Sequence, residues 1–239
     1  MINETQEAIY AQKTVGEIAA SDYRTIQVFE KYGIDFCCGG QKGLGDACTE
    51  KGLSTGQVLQ ELAQAAQSTS GPGENYDQWE LDFLADYIVN QYHTYTKSML
   101  PRVMEFANKV VEAHGDRHPE TLLIAQKWRE LGQEMTAHLQ KEEQVLFPFI
   151  KNLVQGKKEA WRPIGSVRQI IQRMEVEHEA VGEYLAEIES LSQEFTPPRD
   201  ACNTYRALYG YLAEFDQATK KHVHLENNIL FPKAIRLDN

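Results

Sequence analysis

Disulfide chemistry has little to work with in this chain. Its 239 residues include four cysteines, and two of them, Cys37 and Cys38, are adjacent. That is not the spacing of a secreted disulfide framework. Positive charge is scarce as well: 24 Lys and Arg stand against 35 Asp and Glu, a net charge of −11, and Lys157-Lys158 and Lys220-Lys221 are mere doublets. Nucleic acid and anionic membranes need a local cationic excess, so neither is an expected partner. No stretch reaches the ~18 consecutive apolar residues of a membrane span. The first ten residues, MINETQEAIY, carry two glutamates and no basic residue, unlike a secretory leader. The expected compartment is the cytoplasm. What the chain does have is 42% apolar residues, enough for a sizeable core.

Ser68-Thr-Ser-Gly-Pro-Gly73 is the clearest linker, small and polar with proline between glycines. It divides the chain into a small helical Cys-Cys domain (1–67), a linker (68–76) and a larger domain (77–239). In the small domain Thr14 and Glu17 fit a capping box, Ser21 or Asp22 caps a helix that Gly33 ends, and Ser54 opens another. The larger domain has helical periodicity throughout and no strand alternation. Helices are expected from Asp77 to about Ala113, from Glu120 to Leu153 with a bend at Pro148, from Ser166 to about Phe195, and from Ala201 to Ile235. Pro101 should kink the first without ending it. Four long helices with short connections predict an all-α, up-down-up-down four-helix bundle.

Two segments of this bundle match. His138-LQK-Glu142-EQV-Leu146-Phe147-Pro148 and His222-VHL-Glu226-NNI-Leu230-Phe231-Pro232 share the order His, three residues, Glu, three residues, Leu-Phe-Pro. The i, i+4 spacing puts imidazole and carboxylate on one helix face, and the following Leu turns that face inward. A buried carboxylate is costly unless it is paired or binds metal. Depth gives an independent indication. His93 lies 23 residues before Asp116 and His138 lies 22 after it; His178 and His222 each lie 22 from Asp200; His138 and His178 each lie 20 from Lys158. Antiparallel helices therefore bring His93, His138, His178 and His222 to one level, with Glu142 and Glu226. His114 is 21 residues beyond His93, about 30 Å along a helix, so it and His118 belong to the first loop. His224 faces away from His222 and is expected at the surface or behind the ligands. Glu134, one turn before His138, either orients a ligand or sits at the bundle edge; Glu143 and Glu177 are solvated or orient ligands in the same way.

Four His and two Glu exceed one tetrahedral zinc. They suit two octahedral first-row metals that share both carboxylates, and the mixed nitrogen and oxygen donors favour iron. With an oxo or hydroxo bridge, about one position per metal stays open to O2, NO or peroxide. The His-x-x-x-Glu order differs from the Glu-x-x-His pairs of ferritin-type sites.

The His-x-x-x-Glu pairs with lone histidines on two other helices resemble the hemerythrin-like bundle. Together with Asp35-Phe-Cys-Cys-Gly-Gly40, the EEQVLFP and ENNILFP blocks resemble the di-iron family of iron–sulfur cluster repair proteins, over about Val15 to Pro232. The resemblance implies repair of clusters damaged by NO or oxidants, with iron donation and NO handling at a non-haem di-iron site. It implies damaged or apo iron–sulfur proteins as clients, and His93, His138, Glu142, His178, His222 and Glu226 as ligands. Hemerythrin has a fifth histidine and this layer has four, which suits a more open, more labile site. The rivals are a hemerythrin-like O2 or NO sensor or carrier, and an oxidoreductase that turns over NO or peroxide.

Cys37 and Cys38, beside a Gly-Gly pair in a loop, are either small half-buried residues or a thiol redox or transfer element. Cys48 is a candidate to join them, and Cys202 is expected in the core near the third turn. The two domains are expected to meet within one chain or across a homodimer.

Overall fold

The computed structural model describes residues 8–67, 75–157 and 166–238. Most of the expected linker and the middle-loop centre at Lys158 lie outside these residues.

Thr14 opens α1 (Val15–Ser21) through the expected capping box: its hydroxyl accepts from the Glu17 N–H, and the Glu17 carboxylate accepts from the Thr14 N–H at 2.9 Å. Asp22 caps a 3-10 turn (Tyr23–Thr25) that leads into α2 (Ile26–Tyr32), and Gly33 ends α2 at φ 60°. A further helix, α3 (Leu44–Glu50), was not expected; its N-cap is Gly43, which has no capping side chain to announce it. α4 (Thr55–Gln67) follows Ser54. The apolar core of this region includes Ile18, Phe29, Phe36, Leu44 and Leu62, and also Val223 from the last long helix. The small region therefore packs on the bundle within one chain.

Four long rods make the bundle. α5 (81–114) consists of Leu81–Ile88, a π-helical turn Val89–His93, and Thr94–His114, and it runs through Pro101 without ending. α6 (120–154) consists of Glu120–Lys141, a π turn Glu142–Leu146, and Phe147–Val154. α7 is Val167–Leu191, capped by Ser166 with Gln169. α8 (203–238) consists of Asn203–Leu225, a π turn Glu226–Leu230, and Phe231–Asp238. Each rod packs on its neighbours in a ring, α5 on α6 and α8, and α7 on α6 and α8. Among the described residues there is one isolated bridge, Thr14 to Gly43, and no strand.

Several boundaries differ from expectation. The first rod starts after Glu80 rather than at Asp77, which sits in a separate 3-10 turn (Tyr76–Gln78). The bend expected at Pro148 is a π turn just before it, and Pro232 stands in the same relation to Glu226–Leu230. A proline ring removes one ladder hydrogen bond and crowds the carbonyl four residues back, and a wide turn there accommodates both. α7 ends at Leu191, short of the two prolines. Gln193, Glu194 and Phe195 instead turn left-handed at φ 50–57°, a conformation that costs about 1–2 kcal/mol per residue for L-residues. The Ser192 hydroxyl, accepting from the Phe195 N–H at 3.2 Å, helps hold it.

The bundle core is split in two. One cluster holds Ile88, Leu146, Phe147, Met174, Ile229 and Phe231. The other holds Met99, Trp128, Leu139, Val181, Leu212 and Phe215. On α5, α7 and α8 the sequence crosses from one cluster to the other at a histidine, and on α6 it crosses at Glu142, one turn after His138, so a polar layer lies between two apolar blocks.

Glycines let the small region seat against α8. A Cβ on Gly40 would stand 2.7 Å from the Asn228 side-chain oxygen and 2.9 Å from the Phe36 carbonyl. Gly40→Ala is therefore expected to cost about 1–3 kcal/mol at this contact. Hydrogen exchange should show residues 11–66 loosened while the bundle stays protected; equal protection of both regions would contradict a seated module.

Candidate metal centre

The π turns place the site. His93 is the last residue of the first, and Glu142 and Glu226 are the first residues of the other two. All six residues expected in the layer are buried, and both glutamates are fully so. They form two groups, His93/His222 and His138/His178, each completed by both Glu142 and Glu226, with ligand atoms within 4.8 Å of one another. Glu142 directs one oxygen to His93 Nε2 at 3.4 Å and the other to His138 Nε2 at 3.3 Å. Glu226 directs one oxygen to His178 Nε2 at 3.2 Å and the other to His222 Nε2 at 3.1 Å. Each carboxylate thus spans the two groups.

The outer hydrogen bonds decide what the inner atoms offer. His93 Nδ1 faces Glu143 at 2.8 Å, His138 Nδ1 faces Glu177 at 2.9 Å, and His178 Nδ1 faces the Asn227 side-chain oxygen at 2.8 Å. A neutral imidazole has one N–H and one lone pair. With the hydrogen spent on Nδ1, these three rings present bare lone pairs inward. The Nε2 atoms of His138 and His178 then face each other at 3.1 Å, and those of His93 and His222 at 3.2 Å. Both Glu142 oxygens and one Glu226 oxygen are buried without a hydrogen-bond donor. Between His138 and His178, lone pairs at this range repel unless a proton or a cation joins them; His222, whose Nδ1 has no partner, can carry its own hydrogen on Nε2 toward Glu226. Two nitrogens bound at right angles to one cation, each at about 2.1 Å, stand about 3.0 Å apart. The donor set fits a cation in each group.

Electrostatics agree. Burial works against a charged His138, but Glu142, helped by Glu177, overcomes it and raises the imidazole to about 10. Burial likewise opposes, and Glu142 outweighs it, at His93, which is also raised. Burial pushes Glu226 up, and His222 and His178 pull it well below the usual carboxylate range. His222 goes the other way: burial lowers it. The metal-free cluster is a trap for positive charge.

The two repeats serve the lone histidines in the same way. The residue after each glutamate of the layer, Glu143 or Asn227, anchors the lone histidine of another rod, His93 on α5 or His178 on α7. The Phe of each Leu-Phe-Pro stacks on that same ring: Phe147 on His93 at 5.5 Å and Phe231 on His178 at 5.9 Å. The role of Asn227 was missed, although its offset from Glu226 equals that of Glu143 from Glu142. Glu134, expected to be a possible orienting residue, is exposed on the outer face of α6; Glu143, Glu177 and Asn227 take that part. His224 is not at the surface. It is fully buried, its Nδ1 lies 3.3 Å from the Phe36 carbonyl, and it packs edge-on to the Phe36 ring. Docking of the small region covers it, which local spacing does not reveal.

That docking also places the cysteine pair. The Asp35 carboxylate accepts from the backbone N–H groups of Cys37, Cys38 and Gly39 at 2.8–3.1 Å. The Cys38 sulfur lies 3.6 Å from the backbone carbonyl of His178. The two sulfurs are 3.9 Å apart, and contact with Cys38, together with burial, pushes the Cys37 thiol well up. Cys48 is fully buried in the small region's apolar core. Cys202, expected in the core, is exposed at the start of α8.

A four-helix bundle whose four rods each send a histidine to one buried layer, crossed by two carboxylates, is a hemerythrin-like cation-binding protein. The family model of the hemerythrin HHE cation binding domain matches residues 84–234, and a model described as a domain of unknown function (DUF542) matches residues 11–66. The chain is 36% identical over 228 residues to the iron-sulfur cluster repair protein YtfE of Yersinia pseudotuberculosis and to that of Yersinia pestis; the alignment covers 95% of this chain and 98% of each relative. The chain belongs to this YtfE family, within the hemerythrin HHE class. No helix among the described residues is long and apolar enough to cross a membrane.

Proposed function

We propose that the chain holds two iron ions, one in each His/Glu group, and repairs iron–sulfur clusters damaged by NO or oxidants. His93, His222, His138 and His178 are the nitrogen ligands, and Glu142 and Glu226 bridge. The observation that carries this reading is a pair of fully buried carboxylates, short of hydrogen-bond donors, set between two facing histidine pairs. The curated relatives named above share nearly the whole length and are iron–sulfur cluster repair proteins by name. Iron bound here supplies a redox-active centre for NO or O2 and a store of releasable metal. Glu143, Glu177 and Asn227 hold the proton at Nδ1 and keep Nε2 bare, while Phe147 and Phe231 shield the rings from water.

Release from such a site is not symmetric. His222 Nδ1 has no partner, and its ring rests on Tyr92 at 5.6 Å. A ligand without an outer hydrogen bond is less basic and less fixed. Iron at the His93/His222 position is expected to leave first, giving biphasic loss to a chelator. Glu177→Gln should speed the slow phase by about 10–100-fold and leave the fast phase alone; a single phase would contradict this inequivalence. The asymmetry favours iron donation over the reversible storage of a gas carrier.

The same proposal includes the division into a small domain (1–67), a linker (68–76) and a bundle (77–239), supported by the two separate family models. It places the protein in the cytoplasm, where four free thiols suit a reducing medium, with damaged or apo iron–sulfur proteins as clients. Cys37 and Cys38 act as a thiol element beside the centre, supported by the Cys38 contact with the His178 carbonyl. The test is reactivation of an NO-treated iron–sulfur enzyme by the iron-loaded protein. Recovery is expected with the wild type, none with Glu226→Ala, and reduced recovery with the Cys37→Ala/Cys38→Ala double variant. Equal recovery with an equivalent of free ferrous iron would overturn the repair role.

A further inference from the structure

The opposite end of the bundle carries a second set of polar side chains, one that iron binding does not use. His114 closes α5 and is 7% exposed. Its Nε2 stands 3.2 Å from the Cys202 sulfur, and its Nδ1 is buried without a partner. Cys202 itself is exposed. It sits at the N-cap of the 23-residue helix Asn203–Leu225 but makes no side-chain capping bond; the sulfur turns to the imidazole instead. Tyr205 packs against the rings of His114 and His118 at 5.3 and 5.6 Å. His118 is held between Glu120 and Asp200, each at 3.1 Å.

We propose that Cys202 is a modification site, a thiol primed by His114 for exchange with small-molecule disulfides. A hydrogen on Nδ1 of His114 would be a buried unpaired donor, costing about 1–3 kcal/mol. The hydrogen therefore belongs on Nε2, where it points at the sulfur 3.2 Å away and faces the negative charge that develops there during exchange. The free N–H groups and positive end of the long helix act in the same direction. In the exchange the Cys202 thiolate attacks one sulfur of a disulfide RSSR. A Cys202–SR bond forms, the R–S–S–R bond breaks, and RS⁻ leaves and takes up the thiol's former proton. No further oxidant is needed. The site is about 30 Å from the His/Glu layer, judged from the helical rise between His93 and His114, so its modification is independent of iron ligation.

The experiment follows dithiobis-nitrobenzoate, an aromatic disulfide, reacting with the full-length protein. One fast equivalent is expected. It should vanish in Cys202→Ser, persist in Cys37→Ser/Cys38→Ser, and slow about tenfold or more in His114→Gln, with helicity by circular dichroism as the folding control. A second measurement needs no variant: with the modified peptide quantified by mass spectrometry, Cys202 should react faster in the folded chain than in the urea-unfolded chain, whereas a merely exposed thiol would not. A fast phase that survives Cys202→Ser, or a folded rate no greater than the unfolded one, would overturn the proposal.

Discussion

Glu226→Ala is expected to lose both metal ions, whereas His138→Ala loses one. The difference follows from how the donors are shared. Glu226 gives one oxygen toward His178 and the other toward His222, so alanine removes a donor from both groups. His138 faces only the group it shares with His178. Replacing an outer hydrogen-bond partner costs about 10–100-fold in metal affinity, and losing an inner donor costs more. Removing Glu226 also leaves Glu142 as the one carboxylate shared between the facing imidazole pairs, which weakens attraction for either cation. Metal analysis of the two variants separates a shared-carboxylate pair from two independent sites. Independent sites would lose one ion in either variant.

Stripping the metal should make stability depend on pH in a specific direction. In the metal-free protein His138 is raised to about 10, chiefly by Glu142 against the opposing effect of burial, and an unfolded histidine titrates near 6.5. A raised group stabilises the fold fully below its unfolded value and loses that contribution as pH rises through its folded value. The metal-free protein should therefore weaken between pH 7 and 9 by up to about 1.4 kcal/mol per pH unit from this residue, and His93 acts in the same direction. His222, which burial lowers, adds no loss in this window. In the loaded protein a cation replaces the proton, and that dependence disappears. The gap in melting temperature between loaded and chelated protein should widen by about 5–10 °C from pH 7 to pH 9. A gap that stays constant or narrows would mean that His138 is not proton-bound in the empty site.

The layer itself was legible because a helix is regular. A rise of 1.5 Å per residue converts chain position into height, so counting from the turns put four histidines at one level without any contact information. The i, i+4 repeat then named both carboxylates. Local capping was equally readable: Thr14 with Glu17 and Ser166 both act as their side chains dictate. What failed depends on partners distant in sequence or on departures from regularity. The π turns at Glu142 and Glu226 have their only local sign in prolines six residues on, of which Pro148 suggested a bend and Pro232 did not. Glu134 looked like an orienting residue by helical spacing, yet the His138 Nδ1 atom faces α7, where Glu177 waits. His224 and Cys202 were misplaced for opposite reasons. The small region covers the first, and the second lies at a helix start whose neighbour, His114, comes from a rod 88 residues earlier.

The most direct test of the central claim is metal content per chain after anaerobic reconstitution with ferrous iron and removal of the excess. Two irons bound to each wild-type chain are predicted, consistent with two histidine pairs joined by common carboxylates. A single ion per chain, or iron lost on simple gel filtration while one zinc is retained, would contradict it.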